Sequence, residues 1–241
     1  IISEQLKQNG HQVFSISRKQ LYGPRDNLKD TISNSDVIIN LAGSPILQRW
    51  TKKNKATIYN SRINTTKNIV AAINRLPKEN QPKKFISASA IGIYKPGSHH
   101  DESSNNFDTG FLGHVVKDWE AALNDLPESI QKNIFRIGMV IGKEAKTIKS
   151  LMIPFKMGFG ASIGNGEQAF PFIHETDVAN AFVWAVEEHN SNGVFNLTAP
   201  APITNKEFTK ALGKKLNRPV LFSIPELFLK IVLGEAALLL L

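Results

Sequence analysis

The sequence predicts an α/β fold, a doubly wound parallel sheet flanked by helices. Two observations carry this. Strand-like and helix-like segments alternate through the first 140 or so of the 241 residues. The stretch Asp36 to Gly43 is an apolar, β-branched run ending in a small, glycine-closed turn, which is how a strand buried on both faces reads. In such sheets ligands rest at the carboxyl ends of the strands. Asn40, Leu41, Ala42 and Gly43 are therefore expected where a ligand rests, with Ala42 and Gly43 small enough to let a flat one approach the backbone; a buried strand with an ordinary tight turn is the plainer alternative.

Each element follows from its local pattern. Ile2 to Asn9 reads as the end of a helix stopped by Gly10. Gln12 to Ser17 is expected as a strand, Leu28 to Ser33 as a short helix and Val37 to Leu41 as the next strand. Thr51 to Leu76 is a long helix with Ile58, Ile63, Ile69, Val70 and Ile73 as its buried stripe. After Pro82 comes a strand from Lys84 to Ser87. Gly110 to Leu126 follows as a helix and Asn133 to Val140 as a strand. Beyond Gly142 the texture changes. Ile148 to Phe155 looks helical, and Gly158 to Phe172, with four glycines, suits a hairpin or irregular loop. Glu175 to Glu188 is a helix and Gly193 to Leu197 a strand. Thr204 to Leu216 is a helix that starts at a Thr cap with Glu207 three residues later. Pro219 to Leu241 is very apolar. Pro225, Glu226, Lys230, Gly234 and Glu235 interrupt it, so no uncharged run reaches the roughly 20 residues of a membrane span, and a packed terminal helix is expected.

Composition narrows the class. An apolar fraction of 41% supports a substantial core, and the absence of cysteine excludes a disulfide framework or a thiolate metal site; no metal site is expected. The net charge is +8, but Lys and Arg are scattered, without a long basic block interleaved with aromatics. That argues for solvated surface rather than nucleic-acid binding, with a few positions reserved for phosphate. Nothing at the start resembles a secretory signal, so a cytoplasmic location is the default.

A dinucleotide-binding unit opens with a strand, a glycine-rich loop and a helix whose N-terminus holds the pyrophosphate. No Gly-x-x-Gly-x-x-Gly stretch occurs in the sequence, and the chain starts inside the first helix. Either this is not such a fold or the chain is a fragment, and a fragment is the expectation.

An ordered series of short motifs runs through the whole chain. The first half holds Gly10-His11-x-Val13, Ser17-Arg18-Lys19, Asn40-Leu41-Ala42-Gly43, Arg49-Trp50, Ser61-Arg62-Ile63-x-Thr65-Thr66, Ser87-Ala88-Ser89-Ala90 and Trp119-Glu120. The second half adds Arg136-x-Gly138-x-Val140-x-Gly142, Pro171-x-Ile173-His174-x-x-Asp177, Asn196-x-x-Ala199-Pro200 and Thr204-Asn205-x-Glu207-Phe208. In order and spacing the chain resembles the extended short-chain dehydrogenase/reductase superfamily, and within it the branch of epimerase-family, nucleoside-diphosphate-sugar-epimerase-like proteins. The resemblance implies a Rossmann-type domain over residues 1–142 and a substrate-side region with a small domain over residues 143–241.

It also implies sites. The ribose of an adenosine sits at the tip of the second strand, where an acid favours NAD and an arginine favours NADP. Ser17, Arg18 and Lys19 offer no acid, so NADP(H) is the expected cofactor; an exposed basic pair is the alternative. Thr57 and Arg62 on the long helix and Val140 after Gly138 are further cofactor contacts by resemblance, with a surface ion pair or plain strand core as alternatives. Ser89 matches the catalytic serine or threonine that bonds the substrate's reacting oxygen; a turn serine is the alternative. Trp50, Tyr94 and His174 are the candidate substrate residues. The family's Tyr and the Lys four residues on, aligned through Glu120, fall on Leu112 and Val116, neither of which transfers a proton. Lys117 is one position off, and His114 is an isolated helical histidine.

The chain is thus expected to be an NADP(H)-binding epimerase or oxidoreductase acting on a small molecule such as a nucleotide-linked sugar. The alternative is a non-catalytic NADP(H)-binding regulator or redox sensor. No nucleic-acid or membrane partner is expected, and a homodimer stays open.

Overall fold

The computed structural model describes residues 1–23, 28–143, 145 and 152–241. Along the chain run α1 (Ile2–Gln8), α2 (Arg18–Tyr22), α3 (Lys29–Ser33), β1 (Val37–Asn40), α4 (Lys52–Ile73), β2 (Lys84–Ala90), α5 (Phe111–Ala121), β3 (Gln131–Ile137), β4 (Met139–Ile141), β5 (Gly160–Ile163) and β6 (Phe172–His174). There follow α6 (Glu175–Glu187), β7 (Gly193–Leu197), α7 (Asn205–Lys215), β8 (Val220–Ile224) and α8 (Glu226–Leu233). Two compact units interleave along the sequence. The first takes residues 1–44, 58–137 and 176–197, and the second takes 45–57, 138–175 and 198–241.

The first unit is built on a parallel four-stranded sheet in the order β1-β2-β3-β7. Parallel strands covered on both faces read as continuous apolar runs, and β2 is buried at every position up to Ser89. Ile38 and Phe85 of the sheet pack against Ile69, Val70 and Ile73 of α4, Ile32 of α3, and Leu123, Leu126 and Ile130 beyond α5. The expected stripe of α4 is buried throughout. Each such aliphatic side chain removed from water contributes about 1.5–3 kcal/mol. α1 ends as expected, with Gly10 at φ +89°, a conformation that costs glycine little.

Two strand expectations change. Gln12–Ser17 forms no strand. β1 pairs only with β2, so this segment has no ladder to join; Phe14 is exposed while Ile16 rests on the core. Asn133–Val140 is two strands. β3 stays in the four-stranded sheet, whereas β4 pairs in parallel with β6. The break is Gly138, where a Cβ would lie 2.8 Å from the Pro171 carbonyl oxygen.

The second unit contains the β4–β6 pair and a second parallel pair, β5–β8. Gly158–Phe172 is therefore not a hairpin: β5 lies within it and finds its partner some 60 residues later, with an irregularity at Gly160/Ala161. The helix expected over Ile148–Phe155 falls partly outside the described residues; 152–156 are helical. The tail is not one packed helix either. It forms β8, then α8, then a 3-10 segment over Gly234–Leu239. Leu229 is the buried residue of α8, while Leu227, Phe228, Ile231 and Val232 are exposed. Among the described residues no helix is long and apolar enough to cross a membrane.

α7 begins with the predicted reciprocal cap. The Thr204 hydroxyl accepts from the Glu207 N–H, and the Glu207 carboxylate accepts from the Thr204 N–H at 2.8 Å. That backbone bond, then the Thr204 hydroxyl, holds the Glu207 carboxyl below its ordinary 4.5. The stabilisation is complete above that value and is lost as pH falls through the lowered one. A carboxyl titration of Glu207 by NMR should show a depressed midpoint in the wild type and a smaller depression in Thr204→Ala, which keeps the backbone N–H but loses the hydroxyl.

Candidate functional site

In the first unit the carboxyl end of β1 is pinned by its own asparagine. Buried Asn40 donates to Thr66 Oγ1 at 2.9 Å, and its Oδ1 accepts from the Ala42 N–H at 3.1 Å, folding the chain into the Leu41–Gly43 turn. Thr66 in turn donates to the Arg62 carbonyl and accepts from Trp119 Nε1 at 3.1 Å. The next residue is fixed as well, the Ser44 N–H donating to Ser61 Oγ at 2.9 Å. Leu41 is 51% exposed and Gly43 is exposed beside it. The space a side chain at Gly43 would take is filled by Arg62, whose Cζ lies 3.0 Å from an added Cβ. Arg62 donates from Nη1 to the Ile58 carbonyl at 3.1 Å and lies 5.3 Å from the centroid of the Trp119 ring. Burial pulls its pKa below the ordinary value, and no carboxylate opposes that.

Ser17 caps α2 reciprocally with Gln20, so Arg18 and Lys19 open an exposed first turn that contains no acid. Tyr22 ties this helix to α4 through a 2.5 Å hydrogen bond with Thr65 Oγ1.

A second cluster crosses the sheet. Ser89, Arg136 and Asn196 are register partners on β2, β3 and β7. Ser89 Oγ donates to Glu120 Oε1 at 2.5 Å. Arg136 grips the same carboxylate with two bonds, Nε to Oε1 at 2.9 Å and Nη2 to Oε2 at 2.8 Å. Its Nη1 donates to the Tyr94 hydroxyl at 2.7 Å, and that hydroxyl donates to Asn196 Oδ1 at 2.9 Å. Burial works against the guanidinium charge, but the Glu120 and Tyr94 hydrogen bonds outweigh it and hold the Arg136 pKa above its ordinary value. The protons of both Ser89 and Tyr94 are committed to acceptors inside the protein. As arranged, these hydroxyls accept hydrogen bonds and donate none outward.

Leu112 and Val116 of α5 complete the picture. Val116 is buried with Ile93 and Tyr94, and Leu112 lies against Gly92. Lys117 is exposed, and His114 Nδ1 bonds the Gly110 carbonyl of its own helix.

The remaining sequence candidates belong to the second unit. Trp50 is buried and donates to the Ile46 carbonyl at 3.0 Å. Thr57 donates to the Lys53 carbonyl. Val140 faces Ile173 across the β4–β6 pair, and His174, exposed, is the partner of Ile141. Sequence reasoning placed Asn40 at the strand end but missed the site roles of Thr66, Trp119, Glu120, Arg136 and Asn196. One signal was present: Arg136 is a lone charge in an otherwise apolar strand end. Among the described residues no group of three or more His, Asp or Glu could hold a metal.

The parallel sheet with its flanking helices defines a Rossmann-type α/β protein. Residues 1–112 match the profile of the NAD dependent epimerase/dehydratase family. Mouse epimerase family protein SDR39U1 is 34% identical over 251 residues, covering 100% of this chain and 84% of that protein. The crystal structure of human SDR39U1 (isoform 2) with NADPH superposes with a TM-score of 0.90 at 33% identity, over 99% of this chain and 83% of that one. The fold alone is shared with UDP-glucuronic acid 4-epimerase from Bacillus cereus in complex with UDP-glucuronic acid and NAD: TM-score 0.72, 18% identity, 98% of this chain and 75% of that one. The chain belongs to the epimerase family that includes SDR39U1.

Proposed function

We propose that this chain binds NADP(H), with the adenosine phosphate held at Arg18 and Lys19 and the Leu41–Ala42–Gly43 turn as its floor. One observation carries the reading: the Ser17-capped turn presents two exposed cations and no carboxylate, in a chain a third identical to a protein solved with NADPH. A 2′-hydroxyl asks for an acceptor there, whereas a 2′-phosphate asks for cations. When bound, the nicotinamide would give or take a hydride. The chain's own part is to orient the dinucleotide and to place Ser89 near a reacting oxygen of a small, polar, nucleotide-linked substrate.

The test is a calorimetric titration with NADPH and NADH. Arg18→Glu should weaken NADPH on the order of tenfold to a hundredfold and leave NADH nearly unchanged. Equal losses for both cofactors would sink the assignment.

A second reading is a regulator or redox sensor that binds NADP(H) without turnover. It is favoured by Val116 and Leu112 at the positions of the proton-transferring pair, and by the committed hydroxyl protons of Ser89 and Tyr94. The cofactor's near-ultraviolet absorbance separates the two readings. A change with any nucleotide-linked sugar supports the catalyst, and tight NADPH binding with no change across a panel supports the sensor.

A further inference from the structure

The charge of the chain is divided unequally between its two units. The first holds 15 Lys and Arg against 15 Asp and Glu, and the second holds 14 against 6, which is the whole net charge of +8. The cations look scattered along the sequence because the second unit is assembled from three separate segments. The same unit carries a large exposed apolar face. On α8, Leu227, Phe228, Ile231 and Val232 follow the i, i+1, i+4, i+5 spacing of one helix side, and each is 49–69% exposed, while Leu229 is buried behind them. An open groove joins that helix to the β5–β8 pair, with Phe159, Phe222 and Phe228 along it. A contiguous apolar patch of this kind on a folded domain marks an interaction surface. Exposed cations stand next to each apolar segment in the chain: Lys156 before Phe159, Lys214, Lys215 and Arg218 before β8, and Lys230 on α8 itself. Glu226, the acid that opens α8, is paired with Lys230 at 3.3 Å.

The charge selects the occupant. A second copy of this face would bring the same positive excess against it. A nucleic acid would satisfy the cations and leave the phenyl and aliphatic side chains in water. A bilayer with acidic headgroups takes both: its acyl boundary receives leucine, phenylalanine and isoleucine, and its negative surface potential draws lysine and arginine. We propose that the second unit docks on the surface of an anionic lipid bilayer, with the outer side of α8, Phe159 and Phe222 entering the headgroup–acyl boundary and the flanking cations resting on the headgroups. At eight residues α8 is too short to span a bilayer, so it lies along the surface. The docking revises the expectation, drawn from the sequence, of no membrane partner. It goes beyond the cofactor reading, which concerns the first unit, and does not depend on it.

The experiment is co-sedimentation of the whole chain with phosphatidylcholine vesicles, with and without about 30% phosphatidylserine, at low and at high salt. Binding should be on the order of tenfold tighter to the anionic vesicles, and salt should remove most of that gain. The double variant Phe228→Ser/Ile231→Ser should lose on the order of tenfold in binding to anionic vesicles. Its thermal midpoint without vesicles should stay where it is, because both side chains already face water. Lys214→Glu/Lys215→Glu should weaken binding to anionic vesicles and leave neutral ones unaffected. The chain has no cysteine, so Phe228→Cys carries a unique thiol. A maleimide should reach it quickly in the free protein and on the order of tenfold more slowly on anionic vesicles. No binding to anionic vesicles, binding that ignores phosphatidylserine, or binding that survives either pair of substitutions unchanged overturns the proposal. A thiol shielded without vesicles means that the face is already covered, by a second copy or by another protein segment, and overturns it as well.

Discussion

Arg136→Met should cost about 3–5 kcal/mol of stability, the usual consequence of leaving one partner of a buried ion pair unpaired. Arg136 and Glu120 have side chains only 6% and 14% exposed and share two parallel bonds. Methionine fills much of the volume but leaves the Glu120 carboxylate with Ser89 as its remaining partner, and it removes the donor to Tyr94. The measurement is urea unfolding followed by far-ultraviolet circular dichroism. The double variant Arg136→Met/Glu120→Gln should recover part of the loss, because the stranded charge is gone. A single-variant loss below about 1 kcal/mol would mean that the pair is no better than a surface bridge.

Lys84→Met should cost about 2–4 kcal/mol, for a different reason. Lys84 opens β2 and is almost fully buried without touching a carboxylate. Its three N–H groups go to the Ala185 carbonyl (2.7 Å), the Glu188 carbonyl (2.5 Å) and Ser191 Oγ (2.8 Å). Two of these acceptors lie at the C-terminus of α6, where backbone carbonyls lack helical partners and the macrodipole favours a cation. Methionine strands them. Hydrogen exchange should accelerate selectively around residues 185–191, and uniform acceleration would speak against a local cap. Burial lowers the Lys84 pKa below 10.5, with Glu188 opposing in part. The unfolded chain therefore holds this proton to higher pH, and the lysine's contribution to stability rises with pH between its lowered value and 10.5. That rise should vanish in the methionine variant.

Much of the fold was legible because buried periodicity is written residue by residue. The stripe of α4, the Thr204–Glu207 box and the Gly10 stop each depend on neighbours within a turn or two. What could not be read depends on distant partners. Gln12–Ser17 has the composition of a strand but lacks a ladder, and Asn133–Val140 looks continuous until Pro171 approaches Gly138. The tail reads as helix because its apolar content is high, yet Val220–Ile224 is claimed by β5. The site divides the same way. Ser89 and Tyr94 were visible as chemistry-bearing residues. That Glu120 and Asn196 accept from these hydroxyls while Arg136 donates to Tyr94 follows from the register of three strands and one helix, which no local pattern encodes.

The packing of Val116 constrains which sequences lie within reach of this one. A lysine at that position would have to carry an ammonium into the contact between Ile93 and Tyr94, at a cost of several kcal/mol unless a partner were built alongside it. A tyrosine alone at Leu112 would lack the cation that makes its phenol useful. Neither single step brings a gain, and the first is penalised at once. A tyrosine and lysine at Leu112 and Val116 would therefore be separated from this sequence by a barrier in mutational steps as well as by two residues.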